Sequence, residues 1–223
     1  MKLNKNFIII STLLVANLSY GATFTVSNNF GTDSSNAILD NAGNALLAGD
    51  ASVQLGTFAD VSDVTSATNA ATLFDSFQQF GNSGAFVTDL VPSIVTSEGG
   101  VFSLDTGGVD VSAGGFAGQD IYLVVSNNSN SNLADEFFVF QFADQFEAPD
   151  PDVPPVDTFL NLGGNAPTSG NVLIGRDLST PTFSVSTGGT ETLSFGTAVL
   201  VPEPSTSAIL GLGGLAVLLR RRR

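Results

Sequence analysis

Asp120-Ile121-Tyr122-Leu123-Val124-Val125-Ser126-Asn127, followed after a polar turn by Glu136-Phe137-Phe138-Val139-Phe140-Gln141-Phe142-Ala143, decides the fold. The first segment is a short run of β-branched and aromatic residues with polar ends, the composition of a buried strand. In the second, Phe138, Phe140 and Phe142 fall on one face of a strand, and Phe137 and Val139 on the other. The Asn127–Asn132 stretch between them is a turn. Two such strands across one loop predict a central hairpin and an all-β body.

The segments on either side agree. Ala51–Phe58 alternates Val53, Leu55 and Thr57 with Ser52, Gln54 and Gly56, a strand pattern. Thr23–Phe30 reads as an edge strand, and Asn41-Ala42-Gly43-Asn44 as the turn of a hairpin between Ala37–Asp40 and Ala45–Ala48. Gly84–Leu90, Val101–Leu104, Val109–Val111, Val172–Ile174, Thr182–Ser186 and Glu191–Leu200 are further strand candidates. Between Ser66 and Phe80 the period changes. Ala70, Leu73, Phe74, Phe77 and Phe80 fall at helical spacing, with Ser66 as a cap and Gly81 as a stop, which predicts one packed helix. Glu147–Thr158 interleaves Pro149, Pro151, Pro154 and Pro155 with acids and reads as a stiff acidic loop over 147–158. The expected architecture is a β-sandwich with one α-helix, a single domain over 22–200, since about 40 residues beyond the loop are too few for a second core.

Charge is distributed by region. Between Lys5 and Arg220, Arg176 is the sole base, while all 21 acids, Glu203 of the tail among them, lie there, a net charge of about −20 for that part. Such a field repels nucleic acid and anionic lipid, so no nucleic-acid partner is expected. It also keeps a chain with 18 phenylalanines soluble. There is no cysteine, so stability has to come from the core.

Missing residue types bound the chemistry. Without His or Cys, neither a Ser-His-Asp nor a Cys-His nucleophile can be assembled, and the usual zinc sites lose their ligands. A carboxylate-pair glycosidase is left, but Trp is absent, Tyr122 sits on the buried strand, and the adjacent pair Asp135-Glu136 reads as the solvated start of a strand. Gly107-Gly108 and Gly114-Gly115 lie in acidic surroundings and read as turns rather than phosphate cradles. The expectation is therefore no enzyme and no catalytic residue. No cofactor is expected either; the alternative is a calcium ion, for which Asp150 and Asp152, or Asp60 and Asp63, carry the right oxygen ligands. Asn127-Asn128-Ser129 matches the N-glycosylation triplet, a pattern common by chance.

Both ends are addresses. Lys2 and Lys5, the apolar Phe7–Leu18 run and the small-x-small Ser19-Tyr20-Gly21 form a signal peptide over 1–21, with cleavage after Gly21 or Ala22 and passage through the Sec translocon. At the other end, Pro202-Glu203-Pro204 stands before an uncharged aliphatic run and Arg220-Arg221-Arg222-Arg223. The prolines make an extended strip. A helix of about 14 residues rises only about 21 Å against a hydrocarbon core of about 30 Å. The apolar helix is thus a short membrane anchor, and the arginines a stop-transfer signal that stays cytoplasmic.

In this order of elements, 201–223 resembles the PEP-CTERM sorting signal, matched by Pro202, Glu203, Pro204, the apolar run and Arg220 to Arg223. The resemblance implies transient anchoring in the inner membrane. An exosortase-type processing enzyme then cuts near the motif and passes the body to the cell surface, in bacteria that build an exopolysaccharide matrix. Leu46–Ala143 also resembles a loosely defined module of short surface proteins with such tails, and no catalytic residue comes with that resemblance. The function expected is a non-enzymatic cell-surface or biofilm-matrix protein, with exopolysaccharide as a candidate partner. The alternative is an extracellular glycan- or calcium-binding β-sandwich module.

Overall fold

The structure is a computed structural model and describes residues 21–28, 38–44, 46, 49–85, 102–112, 114–148, 157–162, 168–177, 182–184, 190–192 and 195–200. The chain is mostly β. The predicted hairpin forms its centre: Asp120–Ser126 pairs antiparallel with Glu136–Gln145, with Phe140 opposite Leu123 and Gln141 opposite Tyr122. Ser52–Phe58 pairs antiparallel with the other edge of Asp120–Ser126, and Gly170–Ile174 with the other edge of Glu136–Gln145. Phe77–Gln79 and Gly84–Ala85 then cover successive lengths of Ser52–Phe58.

Alternation sends the side chains of this sheet into two separate cores. Val53, Leu55, Ile121, Leu123, Val125, Phe138, Phe140 and Phe142 belong to one. Tyr122, Val124, Phe137 and Val139 belong to the other. A sheet buried on both faces carries near-continuous apolar runs, which is why Ile121–Val125 and Phe137–Phe140 lack the polar residues of a half-exposed strand.

The first core is closed by a second sheet, Thr158–Asn161, Phe24–Ser27 and Ser103–Asp105, which supplies Phe24, Val26, Leu104 and Leu160. Residues of both sheets share this one core. Phe24 meets Phe80 at 5.3 Å and Phe146 at 5.2 Å between ring centroids, and Phe80 meets Phe116 at 4.9 Å. All three contacts are edge-on, the geometry favoured by the ring quadrupole. Phe24–Ser27 was expected at an edge. It lies instead between two partners, parallel to Thr158–Asn161 and antiparallel to Ser103–Asp105, because Phe24 and Val26 are core residues.

The second core is closed by helices, and here the sequence expectation needs correction. Two short helices, Val61–Thr65 and Ala70–Asp75, replace the single helix expected over Ser66–Phe80. Asp60 caps the first, accepting from the Ser62 amide at 2.8 Å, and Ser66 ends that helix rather than starting one. Asn69 and Thr72 form a reciprocal capping box on the second. After Ser76 the chain becomes a strand: Phe77 lies opposite Phe58, and the Phe80 amide donates to the Leu55 carbonyl at 2.7 Å. Ladder bonds outweigh helical spacing once Gly56 lets this strand approach. A Cβ at Gly56 would collide with the Gln78 carbonyl oxygen and the Phe77 ring.

The turn at 40–44 forms as expected. Asp40 and Asn44 close it, their amide and carbonyl meeting at 2.7 Å, and Gly43 adopts φ 90°. Gly107, between two strands, and Gly115, in a turn, also take positive φ. Among the described residues no helix is long and apolar enough to cross a membrane. Residues up to Tyr20, where a signal peptide is expected, residues 149–156 of the loop expected over 147–158, and the tail from Val201 lie outside the described residues.

Candidate functional site

The tail is rooted in the body by the last strands before it. Phe195–Gly196 runs between Arg176–Asp177, antiparallel, and Ile38–Leu39, parallel. The Phe195 ring packs against Phe138 at 5.1 Å. Thr197 is fully buried; its amide donates to the Leu39 carbonyl at 2.8 Å and its hydroxyl to the Glu136 carboxylate at 2.6 Å. Ala198–Val199 then pairs with Phe137 and Glu136, on the strand edge that Gly170–Ile174 covers further along. Leu200 packs against the helix-side core. Gly175, at φ 120°, makes the crossing, where a Cβ would stand 2.7 Å from both the Gly196 carbonyl oxygen and the Phe138 ring.

Glu136 is the hub. One of its carboxylate oxygens accepts both the Thr197 hydroxyl and the Asn41 amide, the latter at 2.7 Å. On the other side of the same residue, the Asn41 carbonyl accepts from the Arg176 guanidinium at 2.7 Å. The 40–44 turn is thus gripped between Glu136 and Arg176. Burial would raise the Asp40 carboxyl, but hydrogen bonds from the Asn44 side chain and from the amides of Asn44, Ala42 and Gly43 outweigh it and hold the group below its usual range. Bonds to charged groups are worth about 1.5–3 kcal/mol each when sheltered and less when exposed. The arrangement is a clamp: it ties four distant segments together where the tail departs.

The other residues singled out from sequence fall in several places. Gly21 and Ala22 form a short strand against Asp110 and Val109. Ser19, Asp150, Asp152, Pro202, Glu203, Pro204 and Arg220 to Arg223 lie outside the described residues. Asp60 is a helix cap, held below its usual range by the backbone and side chain of Ser62. Among the described residues there is no group of three or more acids that could hold a metal ion. Tyr122 is in the helix-side core, edge-on to Phe58 at 5.1 Å; burial, then the charges of Asp120 and Asp60, push its phenol up. The Asn127 side chain closes the central hairpin, donating to the Asp135 carboxylate at 2.7 Å and accepting from the Asp135 and Glu136 amides.

Of the adjacent acids, Asp135 is an exposed turn residue as expected. Glu136 is not simply solvated, because it holds the clamp. Its partners are 95 and 61 positions away, so no local spacing announces them.

No curated protein and no solved structure matches the chain. A family model does match over residues 200–223, beginning at the residue after the last strand ends, and by that match the chain carries the PEP-CTERM protein-sorting motif.

Proposed function

We propose that the protein is a non-enzymatic component of the cell surface or biofilm matrix, delivered there by its C-terminal signal. The motif at 200–223 supports export and exosortase-dependent sorting, with membrane-anchored processing on the way to the surface. The observation that carries the rest is the clamp. The tail is joined to the body by a strand built into the sheets, so a cut beyond Leu200 leaves a folded, acidic, Phe-packed body with its last strand in place. The residues that hold this body together are spent on structure: Asp60 on a cap, Tyr122 on a core, Glu136 and Arg176 on the clamp. The reading needs no cofactor.

Intact mass and fractionation of the protein from its native host test the proposal. The expected species begins near Ala22, ends near Pro202 to Ser205, and is found outside the inner membrane. A species that keeps Arg223 and stays in the inner membrane overturns surface delivery. Hydrolysis of polysaccharide or peptide by the purified mature protein, well above blank, overturns the non-enzymatic part.

A further inference from the structure

The sorting motif stands very close to the folded body. Leu200 is half-buried against the helix-side core, and only Val201 separates it from Pro202. One extended residue spans about 3.5 Å. A processing enzyme has to receive its peptide as an extended segment with cleft walls around it. With the strand docked, Glu136–Gln145 lies beside Ala198–Val199 at the inter-strand spacing of about 4.8 Å, which leaves no room for a wall on that side.

We propose that Ala198–Leu200 is a releasable strip that forms part of the peptide the processing enzyme binds, and that Thr197 is the stop that fixes how far it can be drawn out. This extends the recognised segment beyond the matched motif and onto a strand of the body; it rests on the sorting reading given above.

The hold on the chain changes abruptly at Thr197. Before it, Phe195 packs on Phe138, Gly196 is paired on both sides, and Thr197 is fully buried with two hydrogen bonds. After it, the ladder is two residue pairs long, Ala198 is half-buried and Val199 is 45% exposed. Fraying ends where buried area and bonds accumulate. Drawing out Ala198–Leu200 uncovers mainly the Leu200 side chain, whereas going further breaks the bond to Glu136 and opens the core around Phe195. Released, the five residues from Ala198 to Pro202 reach about 17 Å from the body, enough for a cleft to close around them.

The chain has no cysteine, so a single engineered disulfide can close the strip. Glu136 and Val199 are directly opposite on antiparallel strands, a separation of about 4.5–5.5 Å between Cα atoms that a disulfide spans. The full-length precursor carrying Glu136→Cys and Val199→Cys, with Glu136→Cys alone as the reference for the lost Thr197 bond, is expressed in a host with the processing enzyme, and the ratio of tail-free to tail-bearing protein is read with and without reductant. The expected result is at least a tenfold lower ratio in the oxidised protein, restored on reduction. Equal ratios, with the disulfide verified by mass, overturn the proposal. As a second measurement that needs no disulfide, Val199→Pro takes a ladder position from the strip, and the precursor's half-life is expected to shorten; a lengthened or unchanged half-life counts against it. A parent chain with Pro202→Ala and Pro204→Ala separates the two readings. If it is processed normally, the sorting reading fails; if it is not processed while the redox state has no effect, the strip alone fails.

Discussion

Thr197 donates its hydroxyl to the carboxylate of Glu136, 61 positions earlier in the chain, at 2.6 Å, and the same carboxylate oxygen accepts the Asn41 amide at 2.7 Å. One acidic side chain at the start of the central hairpin's second strand therefore fastens an early turn and the root of the C-terminal tail. Thr197→Val keeps the shape and removes the donor. The expected loss is about 1.5–3 kcal/mol, the worth of a bond to a charged group in a sheltered site. For a body of this size that lowers the melting temperature by about 2–4 °C per kcal/mol. Glu136→Gln keeps an acceptor and should cost less. Equal melting of Thr197→Val and the parent would show that the clamp adds nothing to stability.

The main sheet divides two cores, which makes their energetics separable. Leu55 lies in the core shared by the sheets and Leu73 in the core under the helices, both fully buried. Each Leu→Ala change is expected to cost about 2–5 kcal/mol. Because the two side chains share no cavity, the double variant should lose the sum within about 0.5 kcal/mol. Urea unfolding of the two single variants and the double variant measures this. Coupling well beyond that margin would mean that the cores yield together.

Much of this fold is legible in the sequence, for physical reasons that particular residues make plain. Ile121–Val125 and Phe137–Phe140 announce a central hairpin because no polar position interrupts either run. Asn41–Asn44 announces a turn through its own side chains. The helix expected over Ser66–Phe80 fails because a spacing of three suits a helix and equally an extended segment buried on both faces, in which Phe77 and Phe80 enter opposite cores. What decides between them is Gly56, about 20 residues earlier, whose missing side chain admits the Phe77–Gln79 strand. The clamp is illegible for the same reason on a larger scale: Asn41, Glu136, Arg176 and Thr197 are far apart in the chain and meet only where two sheets come together. The sorting motif is the opposite case. It is a linear signal, and its order along the chain is its whole content.

Calcium is expected to leave the folded body unchanged. A ligand that binds only the folded state raises the melting temperature by mass action, by about 2.7 kcal/mol at a hundred times its dissociation constant. Asp60, the described member of the candidate acids with a resolved role, is engaged in a helix cap. Thermal melts of the full chain with chelator and with millimolar calcium should coincide. A rise of several degrees would restore the metal-binding alternative and direct attention to Asp150 and Asp152.

Stability should fall at both extremes of pH, through different groups. Asp40 and Asp60 are held below the usual carboxylate range by hydrogen bonds. A depressed folded-state value gives stability that is present above about pH 4, the unfolded range for Asp, and lost as pH falls through the folded value. Tyr122 is the reverse, since burial and the charges of Asp120 and Asp60 raise its phenol above 10. The unfolded chain then ionises first, so the contribution of Tyr122 is complete below about pH 10 and is lost as pH rises towards the folded value. Melting temperature against pH should decline on both limbs. Asp40→Asn should flatten the acid limb and Tyr122→Phe the alkaline one, each leaving the opposite limb as it was. If Tyr122→Phe leaves the alkaline decline unchanged, the phenol is not what the folded state protects, and the edge-on contact with Phe58 has to yield enough at high pH to let water reach the ring.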